Sequence, residues 1–436
     1  MLLEFSVGNF RSFKDKVTFS MVAANITAKH KKLNESNLFQ AKGRMQLLRS
    51  AVLYGANASG KSNLIKAMSF MKYLVLNSSR DTIAGEPIDI DRFRLSTATA
   101  AEPTFFEVVF LLDGTRYRYG FEILHGMVSA EWLYRAKQRE VLLFEREGQE
   151  IEFSKTAFKE GKELAARTRK NALFLSVVAQ WNGEISQSIV RWFLENLRII
   201  SGLDDLGYRM FTFQQIEKDT DLKGGIIDFV SRLDTGILDV VAKQVEISVE
   251  RLPANMPPEL KELLVKTGDG LRFLIATVHS KYDEQGNRVS TEEFDMDEHE
   301  SAGTQKIFSM AGPIMDTLQN GRVLVVDELD ARLHPLITRE IVKLFNSPRT
   351  NPHNAQLIFA THDTNLLSNK FFRRDQIWFT EKDRYGATDL YSLVEFKMAG
   401  KKVRNDASFE KDYILGRYGA IPFIGNLEEL FGEANV

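Results

Sequence analysis

Gly55 and Gly60 frame the run Tyr54-Gly55-Ala56-Asn57-Ala58-Ser59-Gly60-Lys61-Ser62-Asn63. The spacing G-x-x-x-x-G-K-S suits a loop whose backbone N–H groups converge on phosphate oxygens at the start of a helix, where unpaired amides and the helix dipole favour an anion. Lys61 is expected to reach the β- and γ-phosphates, and the Ser62 hydroxyl to take a place on Mg²⁺. Further along, Val323-Leu324-Val325-Val326 ends in Asp327-Glu328. Asp327 is suited to hold Mg²⁺ through water and Glu328 to orient and deprotonate an attacking water; the plainer alternative is a pair of acids capping the next helix. A third apolar run, residues 356–361, ends at His362, a side chain able to bond a terminal phosphate. Between these lies Glu300-Ser301-Ala302-Gly303-Thr304-Gln305-Lys306, small and hydroxyl residues at the start of an apolar-faced helix, which make a second anion site. One triphosphate rarely needs two such sites on one chain. Two chains arranged head to tail would use both.

Positioning these groups requires strands that finish at one edge. Ala51-Val52-Leu53-Tyr54 reads as a buried strand into the glycine loop, and residues 64–71 leave it with helical spacing of apolar side chains. The unbroken apolar run before Asp327 is what a strand covered on both faces needs, and open parallel sheets bind ligands at the C-terminal ends of such strands. Residues 2–7 and 17–21 alternate as an N-terminal hairpin around Asn9-Phe10-Arg11-Ser12-Phe13. Asp113-Gly114 supplies a tight turn between residues 105–112 and 115–123, and residues 129–134 and 141–147 suggest another antiparallel pair. Residues 185–197, 222–233 and 258–265 look helical; 237–249, 271–282 and 288–296 look extended. No a/d heptad is sustained, so the middle of the chain reads as a compact lobe rather than a coiled-coil arm. The expected fold class is α/β: a parallel sheet carrying the phosphate loop, an antiparallel β subdomain and a mixed α/β middle lobe. The expected boundaries are 1–75 for the first part of the sheet domain, 76–299 for the subdomain and lobe, and 300–436 for the rest.

The 436 residues carry a formal net charge of −2, so nucleic-acid contact would have to come from a local patch. Residues 29–32 and 167–170 are basic, with a solvated surface as the alternative for both. The absence of cysteine excludes disulfides, Cys-ligated zinc, Fe–S clusters and a Cys-x-x-Cys hook. No run approaches the ~18 apolar residues of a membrane span, and the N-terminus lacks a signal-peptide pattern; a soluble, cytoplasmic chain with no membrane partner is expected.

These motifs resemble the ATP-binding-cassette ATPases, in the branch with SMC and RecF-like heads. The resemblance makes Gly55, Ala56, Asn57, Ala58, Gly60, Lys61, Ser62 and Asn63 the Walker A loop, and the strand ending in Asp327 and Glu328 Walker B. Ser301, Ala302, Gly303 and Gln305 match the signature loop, acting in trans, with Ala302 departing from the strict pattern. Asp330 falls on the D-loop and His362 on the switch histidine. Gln180 is the candidate for the Q-loop glutamine that senses Mg²⁺, with Gln138 as rival, and Arg11 lies in an N-terminal motif that can approach the nucleotide. More closely, the opening Leu-Glu-Phe-Ser-Val-x-Asn-Phe-Arg-Ser-Phe, the loop itself, Asp327-Glu328-Leu329-Asp330-x-x-Leu333-His334-Pro335 and Arg417-Tyr418-Gly419-Ala420-Ile421-Pro422 are similar to the AbiLi/RloA group of bacterial AAA-class ATPases. That resemblance implies ATP and Mg²⁺ as ligands, ATP hydrolysis in a homodimer or higher oligomer, and a role in abortive infection beside a separately encoded effector, a nuclease. A TOPRIM nuclease domain is not expected after His362. Nucleic acid is a further candidate partner. A RecF-like repair ATPase and an ATP-binding scaffold with little turnover are the alternatives, with a transporter subunit third.

Overall fold

The structure is a computed structural model and describes residues 1–80, 83, 85–233, 235–246, 271–398, 400–425 and 427. Strands β1 (Leu2–Gly8) and β2 (Val17–Ser20) form the N-terminal hairpin, β3 (Ser50–Tyr54) enters the glycine loop, and helix α1 (Lys61–Asn77) leaves it. A meander follows: β4 (Thr104–Leu112), β5 (Thr115–Leu124), β6 (Met127–Ala136), β7 (Glu140–Glu147) and β8 (Glu150–Phe153). Then come α2 (Phe174–Gln180), α3 (Glu184–Arg191) and β9 (Leu197–Ser201). The middle stretch holds α4 (Leu206–Glu217), α5 (Lys223–Ser231), β10 (Ile237–Glu246), β11 (Leu271–Tyr282), β12 (Arg288–Asp295) and α6 (Ala302–Asn320). The chain returns through β13 (Val323–Asp327), α7 (Pro335–Asn346), β14 (Gln356–Ala360), β15 (Ile377–Lys382), β16 (Thr388–Ser392) and α8 (Phe409–Ile414).

Two compact units result: residues 1–199, 320–329 and 339–436 in one, and 200–319 with 330–338 in the other. The larger unit contains two large sheets, beside two two-stranded ones. One of the large sheets has the order β8-β7-β6-β5-β4-β1-β2, antiparallel throughout, with alternating burial along β4 and β5. The other has the order β9-β13-β14-β3-β15-β16. Its pairs β13/β14, β14/β3 and β3/β15 are parallel, and every residue of β3 and β14 is buried. That is the continuous apolar patterning a doubly covered parallel sheet demands. The fold is therefore α/β, with a parallel sheet carrying the glycine loop, an antiparallel β-sheet, and a second unit of helices around the three-stranded sheet β10-β11-β12.

A buried carboxylate fixes α2 to the meander. Glu131 and Arg146 are both fully buried and 3.8 Å apart, and Glu131 accepts the backbone N–H groups of Phe174 (2.6 Å) and Leu175 (3.0 Å) and the Tyr119 hydroxyl. Burial raises the Glu131 pKa, opposed by the Arg146 charge and these donors. An acid at the first amides of a helix also meets the positive end of its dipole.

In the second unit, α6 carries Pro313 in its interior. Proline has no N–H to give the carbonyl four residues back, which is that of Ser309. Thr212 of α4 supplies the missing donor: its hydroxyl donates to the Ser309 carbonyl at 2.8 Å and accepts the Gly312 N–H at 3.1 Å. The contact is tight, for a Cβ on Gly312 would lie 2.4 Å from the Thr212 hydroxyl.

Two features depart from the sequence expectation. Residues 206–217 form a helix that was not expected, because Leu206, Tyr208, Phe211, Phe213 and Ile216 do not fall into one clean stripe. The helix expected over 185–197 ends in a π-helical turn, Trp192–Asn196, and Leu197 already begins a strand. Residues 258–265 and 247–249 lie outside the described residues. Among the described residues no helix is long and apolar enough to cross a membrane.

Candidate functional site

Parallel pairing in register brings the chemistry to one edge. Val326 pairs with Phe359, Phe359 with Val52, and Ala360 with Leu53, so β13, β14 and β3 end side by side. Leu329 N donates to Ala360 O at 3.0 Å and Thr361 N to Leu53 O at 3.2 Å, carrying the alignment one step past the strands. Gly55, Asp327, Glu328 and His362 follow directly from these three strand ends.

The glycine loop is held by contacts that leave no room for side chains. A Cβ on Gly55 would lie 2.5 Å from the Ser59 hydroxyl and from the Thr380 carbonyl; one on Gly60, at φ 119°, would lie 2.6 Å from Thr388. Gly60 caps α1 in a left-handed conformation that an L side chain rarely adopts. Around it the Ser59 and Thr380 hydroxyls meet at 2.6 Å, and the Thr388 hydroxyl donates to Ser59 O at 2.7 Å. Ala58 also has positive φ, and Ala56 O accepts the Ser59 N–H at 3.1 Å, closing the turn that contains Asn57.

Lys61 is buried, and its ammonium donates to Gly55 O (2.8 Å) and Ala56 O (3.1 Å). The Ser62 hydroxyl donates to Asp327 Oδ1 at 3.0 Å, joining the first turn of α1 to the end of β13. A hydroxyl and a carboxylate converging at the start of a helix are the hard oxygen donors Mg²⁺ takes, together with substrate phosphates, in nucleotide sites. Among the described residues no group of three or more His, Asp or Glu side chains could hold a metal by itself; a magnesium ion at Ser62 and Asp327 would take its remaining ligands from phosphate and water. Glu328 stands at φ 56°, in the left-handed region. Such strain persists where neighbours over-determine the backbone, and it clusters at active sites; here Leu329 and Ala360 clamp the next residue. His362 is exposed after β14.

Other sequence candidates are placed differently. The Asn63 amide donates to the Ser12 hydroxyl at 2.7 Å, so this side chain ties α1 to the N-terminal hairpin. Arg11 pairs with Asp91 at 2.9 Å. Gln180 is a correction: it lies on a cavity of about 520 Å³ with Val75, Leu76, Arg80 and Leu194, at the C-terminal end of α1. The seventeen-residue helix separates that cavity from Ser62, by roughly 24 Å at 1.5 Å per residue. Gln138 fares no better. It follows Ala136, which pairs with Arg116 beside the Leu112–Thr115 turn, whereas Arg11 follows Gly8, which pairs with Phe105 at the opposite end of that sheet. Neither glutamine sits at the glycine loop.

Ser301, Ala302, Gly303 and Gln305, expected as the signature, and Asp330 belong to the second unit. The Ser301 hydroxyl accepts the Thr304 N–H at 3.1 Å, capping α6. Ser301 and Ala302 are exposed, and a Cβ on Gly303 would lie 3.2 Å from Arg332 O. The Gln305 amide turns inward, donating to Met296 O (3.0 Å) and Glu300 O (3.1 Å), and so staples the loop rather than projecting from it. Next to it Lys306 is buried and donates to Gly202 O (2.5 Å) and the Tyr208 hydroxyl. Burial lowers its pKa to about 8, with the Asp205 charge opposing.

Thr380 and Thr388 shape the glycine loop yet escaped the sequence reading, and Ser12 entered it only as part of the motif around Arg11. Nothing local marks them; they matter only because β15, β16 and the N-terminal turn pack there.

Residues 50–368 match the family described as "AAA domain, putative AbiEii toxin, Type IV TA system". No curated protein matches the chain. Among solved structures, the SMC head domain from Thermotoga maritima is 13% identical, covering 90% of this chain and 98% of that one at a TM-score of 0.39. An SMC head bound to the C-terminal winged-helix domain of ScpA is 13% identical, covering 90% and 97% at 0.41. The recombination mediator RecF in its ATPrS structure is 13% identical, covering 89% and 98% at 0.30. The family match runs from the first residue of the strand before the glycine loop to beyond His362, and the chain belongs to this AAA-domain family.

Proposed function

We propose that the chain binds and hydrolyses ATP with Mg²⁺ in a head-to-tail pair of copies, and that it serves as the sensor and regulator of a bacterial anti-phage system whose effector is a separate protein. The observation that carries the first part is the Ser62–Asp327 contact at 3.0 Å, which closes a phosphate loop onto an acidic strand end 265 residues away. The family description, which names an AbiEii toxin and a toxin–antitoxin system, and the AbiLi/RloA-like motifs support the second.

In this reading the amides of Ala58–Ser62 and the Lys61 ammonium hold the β- and γ-phosphates. Ser62 and Asp327 would hold Mg²⁺, which would supply positive charge to offset that developing on the transferred group. Glu328 orients water and takes its proton as the water oxygen bonds to the γ-phosphorus and the bond to the ADP oxygen breaks. His362 bonds the terminal phosphate. Ser301 and Gly303 of a second copy close over that phosphate, each hydrogen bond to a charged group adding roughly 1.5 to 3 kcal/mol. Hydrolysis removes those contacts, so the nucleotide times an open-to-closed switch.

The test is ATP turnover against protein concentration, with Glu328→Gln as the blank. Turnover per subunit should climb with concentration and vanish in the variant, which should stay dimeric in saturating Mg-ATP. A variant that remains monomeric there sinks the two-copy site. Strong stimulation by double-stranded DNA would move the biological role toward repair.

A further inference from the structure

We propose that Tyr385 and Leu95 form the shelf on which the base of the bound nucleotide lies, and that this shelf holds the base by stacking alone, so that ATP and GTP bind alike. The proposal rests on the phosphate-loop reading above and adds what the other end of the nucleotide meets.

The β15–β16 turn is fastened to the flank of the glycine loop. Thr388 N donates to Ser12 O at 2.7 Å, the Thr388 hydroxyl donates to Ser59 O at 2.7 Å, and Ser12 in turn receives the Asn63 amide at 2.7 Å. From Thr388 back to Tyr385 the chain can reach roughly 10 Å at 3.3 Å per residue, about the extent of a ribose and its base. The turn is rigid before any ligand arrives: Asp383 Oδ1 accepts the N–H groups of Tyr385 (2.8 Å) and Ala387 (2.9 Å), and Gly386 takes the φ of 80° that the bend requires.

Held this way, Tyr385 is 62% exposed and Leu95 69% exposed, an unusual outlay of apolar surface. The two belong together, since the Leu95 Cδ1 lies 2.5 Å from where a Cβ on Gly386 would be. The Arg384 guanidinium covers one side of the Tyr385 ring, with its carbon 4.6 Å from the centroid, and a base can take the other. Nearby, Asp91 is the acid that could read an exocyclic amine, but its two oxygens are engaged by Arg11 (2.9 Å) and Arg94 (3.1 Å). Stacking on a ring face tolerates any base, because every base presents a π surface.

Equilibrium binding of Mg-ATP, Mg-GTP and inorganic tripolyphosphate, measured in the Glu328→Gln background, tests this. Tyr385→Ala should weaken ATP and GTP by the same factor, about 5- to 150-fold, the value of one base–aromatic stack. Tripolyphosphate affinity should not change, and Tyr385→Trp should restore both nucleotides. Unchanged ATP affinity in Tyr385→Ala, or GTP bound far more weakly than ATP by the unaltered residue 385, overturns the proposal while leaving the phosphate loop intact. Failure of tripolyphosphate to bind at all would overturn the phosphate-loop reading, and this one with it.

Discussion

Thr212→Val should destabilise the protein by about 1 to 3 kcal/mol, the cost of leaving a buried polar group unpaired. Valine keeps nearly the same volume in a site where Thr212 is fully buried, so cavity and overpacking effects are small. What disappears is the hydroxyl that donates to Ser309 O at 2.8 Å. In an ordinary helix that carbonyl would still have the N–H of residue 313, but Pro313 has none. The consequence is a specific non-additivity. In a Pro313→Ala background residue 313 can donate to Ser309 O, so the same Thr212→Val change should cost less by about 1 kcal/mol or more. Urea unfolding of the four proteins in this cycle measures the coupling, since residues sharing a hydrogen-bond network typically depart from additivity by 0.5–3 kcal/mol. An equal cost of Thr212→Val in both backgrounds would refute the assignment of Thr212 as the surrogate donor.

Gly60→Ala forces a Cβ to within 2.6 Å of Thr388 at φ 119°, and should abolish Mg-ATP binding in calorimetry, with Thr388→Ala giving partial relief; full binding by Gly60→Ala would show that the loop yields easily. Lys306 titrates at about 8 instead of 10.5 because it is buried. The unfolded chain therefore binds more protons than the folded one between those values. The penalty is fully present below pH 8 and is relieved as pH rises toward 10.5, by about 3 kcal/mol in all. Stability of the unaltered chain minus that of Lys306→Met, taken from urea unfolding at pH 7.5 and pH 10, should rise by that order, and a constant difference would contradict the burial argument. Glu160 accepts the N–H groups of Ile185 (3.0 Å) and Ser186 (2.9 Å), capping α3 from a distant loop. Glu160→Ala should cost about 1 to 2 kcal/mol, with Glu160→Gln recovering part of it; no loss in the alanine variant would mean the cap is idle.

The glycine loop and the acidic strand were legible because their information is local. Val323–Asp327 announces a doubly buried strand by composition, and Gly55 and Gly60 announce a turn that tolerates no side chain. Gln180 was misplaced for the opposite reason: following an apolar run says nothing about which end of α1 that run packs against. The same limit hid Thr212 and Ser309, whose partnership across 97 residues exists only because α4 crosses the proline of α6. Residues 206–217 gave no clean stripe, although a helix forms there. The hairpins around Asp113-Gly114 and residues 283–287 were legible because turn chemistry is written in a few adjacent residues.

The Lys61 ammonium donates to the carbonyls of its own loop, those of Gly55 and Ala56. The loop is thus self-occupied, and entry of an anion is an exchange reaction rather than the filling of a vacant cradle. A newcomer must return at least what the ammonium gives up, its bonds to those two carbonyls among them, before it gains anything. Inorganic phosphate or sulfate, touching the loop through one group, would compete poorly, whereas a polyphosphate spanning the loop amides and the ammonium together would prevail. The lysine acts as a threshold on the kind of anion admitted.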